Sequence, residues 1–293
     1  MPRLSTNSAL WITRVLWLAA LALVPLAIDS ATRGRPAIAS NVSLTAWWVA
    51  AGAVLVALVV CGPAGLTVSR MVVPTSVPVA AATLLFGATA VRGVAALACA
   101  TLVTLAVFTA ETGEATVQTA AYGDERRLPL RLPAAMQLPI AVSWTLWLGA
   151  SLAGVLLLAG GSLVGGVAVL VVAIALTWLL YQRLHHFSCR WLVSVPAGVV
   201  VHDSVVLGET LMVMRANVQH AQLALATTEA ADLTGPAAGH ALEITVHEMV
   251  QVTFAGTSKN PKGSAIHAQA FLVAPSRPGR ALQALTDRKI SVR

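Results

Sequence analysis

MVVPTSVPVAAATLLFGATAVRGVAALACATLVTLAVFTA, residues 71 to 110, is apolar throughout except for Arg92. Forty helical residues would measure about 60 Å, twice the roughly 30 Å hydrocarbon thickness of a bilayer, so the stretch reads as two membrane spans with a tight turn around Arg92-Gly93. Those spans are expected at 71–91 and 94–110.

Four further runs of similar character flank them. ALWITRVLWLAALALVPLAI (9–28) carries Arg14 near its start, where a long cationic side chain can snorkel to the headgroups. AWWVAAGAVLVALVVCGPAGL (46–66) opens with a Trp pair suited to the membrane interface. IAVSWTLWLGASLAGVLLL (140–158) and SLVGGVAVLVVAIALTWLLYQ (162–182) complete a set of six. The first run is long and no small-residue cleavage site clearly follows it, so it reads as a span and not as a cleavable signal peptide.

Composition agrees: 57% of residues are hydrophobic and 11% charged, against about 25% charged in soluble proteins. All eight Trp lie at or before Trp191, and all seven His and three Lys lie after Tyr181. Two differently built parts therefore meet near residue 185. Residues 1–191 hold eleven Arg against five acids, and residues 192–293 hold eight bases against seven acids, so the basic excess belongs to the apolar part. Basic flanks are what membrane topology requires, so they are poor evidence for nucleic-acid binding and no nucleic acid is expected as a partner. Cys61, Cys99 and Cys189 are too far apart for a zinc knuckle and read as reduced thiols.

Six spans place both termini on one side. If that side is the cytoplasm, its flanks hold Arg3, Arg14, Arg70, Arg126, Arg127, Arg131, Arg183 and Arg190, against Arg33, Arg35 and Arg92 opposite. This is the positive-inside asymmetry. No Asp, Glu, Lys or His occupies the middle of a span, which argues against a proton-coupled carrier. Gly149, Ala153, Gly161 and Gly165 suit close helix packing.

After Trp191 the period becomes alternating. RWLVSVPAGVVVHD and TLMVMRANVQHAQLAL read as short strands, and ALEITVHEM (241–249) alternates Leu242, Ile244 and Val246 with Glu243, Thr245 and His247. VQVTF (250–254) and AIHAQAFLVA (265–274) follow, joined by the turn TSKNPKGS, and SRPGRALQALTDR reads as an amphipathic helix. The expected domain over 188–293 is a small antiparallel β fold of six or seven strands with a C-terminal helix.

This order of elements, from WLVSVPAGVVVHD through TLMVMRANVQHAQL to the helix after AFLVAPSRP, resembles the pleckstrin-homology-like (PH-like) domains of bacterial membrane-anchored proteins. The whole chain is similar to the uncharacterised, Ala- and Arg-rich integral membrane proteins of actinobacteria. The resemblance implies a fold used for binding and oligomerisation, with no catalytic residues and no cofactor. The first turn, Pro196-Ala197-Gly198, lacks the Lys or Arg with which phosphoinositide-binding relatives hold a headgroup.

Chemistry is sparse. His185 and Cys189 in LHHFSC are four apart on a helix and, with His186, are candidate ligands for zinc or copper; the competing reading is a basic helix end at the membrane surface. His247-Glu248-Met249 is not HExxH, because residue 251 is Gln. Neighbours His202, Asp203 and Ser204 point to alternate faces of a strand and form no triad.

AAYGDERRLPLRLP (120–133) is the local exception, a dense charged segment inside the expected cytoplasmic loop 111–138. As a solvated turn, Asp124, Glu125, Arg126 and Arg127 would pair internally. As a docking element, Pro129, Pro133 and Pro139 would hold LPLRLP extended while Tyr122, Asp124, Glu125, Arg126, Arg127 and Arg131 meet the chain's own C-terminal sheet, another protein or lipid headgroups. The sequence therefore predicts a multi-pass plasma-membrane protein with cytoplasmic termini, a scaffold or accessory subunit whose partners are membrane lipids and a membrane protein or a second copy of itself. The competing classes are a permease or channel for a small solute and a membrane-surface enzyme.

Overall fold

The computed structural model describes residues 6–256 and 263–293. Arg3 and most of the expected TSKNPKGS turn lie outside them. The chain forms two compact units: residues Met1–Thr116 with Ile140–His185, and Val117–Pro139 with His186–Arg293.

The first unit is helical. Helices α1 (Thr6–Thr32) and α2 (Ala37–Val60) are followed by α3 (Gly62–Val72), a short 3-10 turn and α4 (Ser76–Leu85), then α5 (Ala90–Phe108) and α6 (Ala110–Gln118). Helices α7 (Ala134–Ala159) and α8 (Leu163–Ser188) complete the set. Among the described residues six helical stretches are long and apolar enough to cross a membrane: 8–32, 37–60, 62–85, 90–108, 134–159 and 163–188.

Two expected boundaries move. The apolar run 46–66 is not one helix, because the chain reverses at Cys61 and Gly62, both at positive φ (57° and 89°), with Pro63 in the first turn of α3. The third span is therefore 62–85, not 71–91. Gly65 makes the reversal tight: a Cβ there would stand 2.4 Å from the Ala57 carbonyl oxygen. The next turn occupies residues 86–89, and Arg92 lies inside α5 instead of in the turn. There Arg92 approaches Asp29 at 3.8 Å, beside the Asp29–Arg33 pair at 3.1 Å.

Small residues set the close packing of this unit. Ala20, Val24 and Ala27 of α1 meet Ala51 and Val54 of α2 and Ala96, Ala100 and Val103 of α5, with Trp17 and Trp47 tilted against each other 5.8 Å apart. Arg14 donates to the Leu58 carbonyl at 2.9 and 3.1 Å, satisfying an acceptor at the C-terminal end of α2. The segment from 111 is not a loop at its start: α6 is helical, with Thr112, Glu114 and Thr116 buried and Thr13 Oγ1 3.2 Å from Thr112 Oγ1.

The second unit is built of two sheets. Strands β1 (Arg126–Pro129), β2 (Trp191–Val195), β3 (Gly198–His202) and β4 (Leu211–Met214) form an antiparallel sheet in that order. The second sheet has the order β5 (Val218–Leu223), β7 (Leu242–Phe254), β8 (Ser264–Val273) and β6 (Ala231–Asp232), with only β6 parallel to its neighbour. Helix α9 (Pro278–Asp287) buries Ala281, Ala284 and Leu285 in the common core with Leu192, Val199, Leu242, Ile244 and Phe271.

Three strand expectations change in detail. Residues 210–225 divide at a 3-10 turn, Arg215–Asn217, into β4 and β5. The two expected strands at 241–249 and 250–254 are one, β7, with a register shift against β8 between Thr245 and Val250. The unit is also larger than 188–293, since it includes β1. Gly198 opens β3 after the Pro196-Ala197 turn at φ 156°, where a Cβ would stand 2.0 Å from the Val213 carbonyl oxygen of β4.

Candidate functional site

The charged segment 120–133 supplies the strand β1 (Arg126–Pro129) to the β unit. Gly123, at φ 62°, makes the entering turn, and Glu125 organises it by accepting from Tyr122 N at 2.7 Å and from Arg127 Nε at 2.9 Å. Gln118 at the end of α6 closes the turn from outside, donating to Glu125 O at 2.8 Å and accepting from Arg127 N at 2.9 Å. From Arg126 the chain runs antiparallel to β2, pairing Arg126 with Ser194 and Pro129 with Trp191.

Beyond Pro129 the segment is bonded on both sides. Leu130 N donates to Arg190 O at 3.0 Å, while Arg131 N donates to Ala274 O and Ser276 N to Pro129 O, both at 2.8 Å. The segment thus stitches the end of β8 to β2, one sheet to the other. Pro129 and Pro133 suit the role, since they hold the chain extended and leave few donors to satisfy, whereas Pro139, expected to do the same, lies inside α7. Leu128 and Leu130 point into the core shared by both sheets.

Charges fasten the segment at each end. Arg288, just after α9, donates to both Asp124 carboxylate oxygens at 2.7 and 2.6 Å and to Asp124 O at 2.7 Å. The Arg288 guanidinium holds the Asp124 carboxyl below the usual carboxylate range, and the same bond raises Arg288. At the other end Arg131 donates to the His240 carbonyl, and partial burial lowers its pKa. Arg190 Nη1 donates to Arg131 O at 2.9 Å while its Nε and Nη2 grip both oxygens of Asp203 at 2.7 Å.

Between these anchors lies a stacked ladder across three strands. The Arg127 guanidinium sits 5.0 Å from the Trp191 ring centre, and Trp191 stacks on His202 at 5.3 Å. His202 Nδ1 is 3.0 Å from Thr210 Oγ1. Of the six residues singled out as docking candidates, Asp124, Glu125, Arg127 and Arg131 have their side chains bonded within the unit. Tyr122, 90% exposed, and Arg126 face solvent.

The candidate metal ligands are not gathered. His185 belongs to the helical unit, where Nδ1 lies 3.2 Å from Thr67 Oγ1 and the ring stacks on Tyr181 at 5.6 Å. His186 is exposed, and Cys189 follows the end of α8 with its thiol pushed up by burial. Among the described residues no three His, Cys, Asp or Glu side chains are placed to share a metal ion. Asp203 is committed to Arg190 and lends nothing to His202 or Ser204.

A groove that the sequence did not point to opens on the β unit. Its volume is about 440 Å³, and Met212, Met214, Asn217, His247 and Glu248 contribute to its walls. The β7 irregularity that presents His247 and Glu248 is held by side-chain amides. Asn217 Nδ2 donates to Glu248 O at 3.0 Å and Glu248 N to Asn217 Oδ1 at 2.7 Å, while Gln269 Nε2 donates to Val246 O and, at 3.1 Å, to His247 O. The alternation Leu-Met-Val-Met in β4 was the available signal, because it places two methionines on the solvent face of a strand.

In comparisons with known proteins, no family model, curated protein or solved structure matches the chain.

Proposed function

We propose that this chain is an integral plasma-membrane scaffold or accessory subunit that binds a partner through a PH-like domain on the cytoplasmic side. The observation that carries the reading is the discontinuity of the β unit, which takes β1 from the segment between α6 and α7 and the rest from the chain after α8. Such a domain is tied to the helices at three points of the chain. Binding on its surface is then felt at the ends of α6, α7 and α8, as an accessory subunit requires.

The same pairing supports the topology. Two crossings, α7 and α8, separate β1 from β2, and an even number returns the chain to the side it left. The Arg asymmetry supports taking that side as the cytoplasm. A meander of β2, β3 and β4, a second sheet and a terminal helix packed into the core support the PH-like reading. Partners in keeping with it are membrane lipids and a membrane protein or a second copy of the chain.

The test is affinity purification from native membranes, comparing the intact chain with one truncated after Cys189. Proteins or lipids recovered with the intact chain and lost on truncation support the proposal. An identical set from both refutes a binding role for the β unit. A solute pathway is the second reading, favoured by the buried polar side chains of Thr13, Thr112, Glu114 and Thr116 around α6. Reconstituted vesicles that pass a small solute only when the chain is present would favour it.

A further inference from the structure

We propose that the groove between β4 and the irregular part of β7 is a site for a soft monovalent metal ion, Cu(I), held by the thioethers of Met212 and Met214 and the imidazole of His247. This goes beyond the scaffold reading and does not depend on it. Three of the chain's six methionines, Met212, Met214 and Met249, are on the surface of the β unit, 49%, 57% and 63% exposed. Exposure of one apolar side chain means little, but two on one short strand lining one groove is a local arrangement.

The geometry suits a thioether pair. Val213 between them is buried, so Met212 and Met214 project from the same face of β4. Residues two apart on a strand are separated by about 6.8 Å, a span that two flexible methionine arms can close onto one ion. His247 reaches the same groove from β7, and its backbone is fixed by the Asn217 and Gln269 amides described above. Thioether sulfur is a soft donor that selects Cu(I), whereas Zn, Mg or Ca would demand harder or more numerous ligands. Two sulfurs and one nitrogen leave the ion three-coordinate, and neutral ligands need no proton release beyond keeping the imidazole neutral.

The site is tested with Ag(I), a redox-stable probe of the same softness, and then with Cu(I) under reducing conditions. The full chain in detergent is used, with Cys189→Ser to remove the partly exposed thiol. Titration calorimetry should find one equivalent of Ag(I) that Met212→Leu with Met214→Leu weakens at least tenfold, and that Met136→Leu leaves unchanged. His247→Ala should weaken it by a smaller factor. Methyl resonances of Met212 and Met214, and not Met136, should shift on titration. Leucine preserves the apolar volume, so a change in circular dichroism is not expected; if the double variant loses its fold, the methyl shifts in the parent decide alone. Binding that the double leucine variant retains in full, or shifts confined to other methionines, would overturn the proposal.

Discussion

Arg190 and Asp203 form a two-pronged ion pair inside the β unit, both bonds 2.7 Å long and both side chains almost fully buried. Asp203 Oδ1 also accepts from Val205 N and Val206 N, at 3.1 and 3.3 Å, so the carboxylate shapes the turn after β3. Removing one partner strands the other. Asp203→Ala should destabilise the β unit by about 3–5 kcal/mol, whereas Arg190→Met with Asp203→Leu should recover much of that loss. Thermal unfolding of the purified chain, followed through β-sheet circular dichroism, measures both, and a double variant no better than the single would contradict the account.

Strand β1 makes a sharper demand. Without Leu128 and Leu130 the core is open along β2, so the isolated fragment 188–293 should lack a cooperative thermal transition. Joining residues 117–139 to it through a flexible linker should restore one. In the full chain Leu128→Ala should cost about 2–5 kcal/mol, as for other buried leucines. A fragment 188–293 that melts cooperatively would show that β1 is dispensable.

Asp124 and Arg288 give the β unit an acid-side dependence. The folded carboxyl titrates below its unfolded value, so the stabilisation is present above about pH 4 and is lost as pH falls through the depressed native value. Asp124→Asn should therefore lower Tm near neutral pH, with the gap from the parent closing on acidification. Because the pair is at the surface, the gap should also shrink in high salt. A gap that stays constant from pH 7 to pH 3 would assign the effect to something other than this pair.

The topology has a direct readout. Reporters inserted at Gly34, Gly87 and Gly161 should report one side of the membrane, and those at Gly123 and after Arg293 the other. Gly87 is the informative site between the third and fourth spans, because the turn lies at residues 86–89 and Arg92 is within α5. Reporters at Gly123 and after Arg293 on opposite sides would be incompatible with β1 pairing to β2.

Part of the Arg190–Asp203 pair was legible without coordinates. A hairpin around Pro196-Ala197 sets Trp191 opposite His202, and one step outward sets residue 190 opposite 203. Reading those residues only as a membrane flank and as a failed triad hid the pair.

By itself the sequence determined six apolar stretches, a change of period near residue 190 and an amphipathic last helix, because hydrophobic length and periodicity are local properties that burial enforces wherever the segment sits. Only the tertiary structure decided where the second helix stops. Residues 46–66 are uniformly apolar, and hydropathy is blind to a reversal made by backbone angles at Cys61 and Gly62. It also decided what AAYGDERRLPLRLP does. The strand exists because Arg126 meets Ser194, partners 68 positions apart in the chain. Asp124, Arg131 and Arg127 are engaged by Arg288, His240 and Trp191, partners that no periodicity within the segment could indicate, while Arg126 stays exposed. Non-local pairing of this kind is set by which edges and core gaps the rest of the fold leaves open, and that is known only when the fold is.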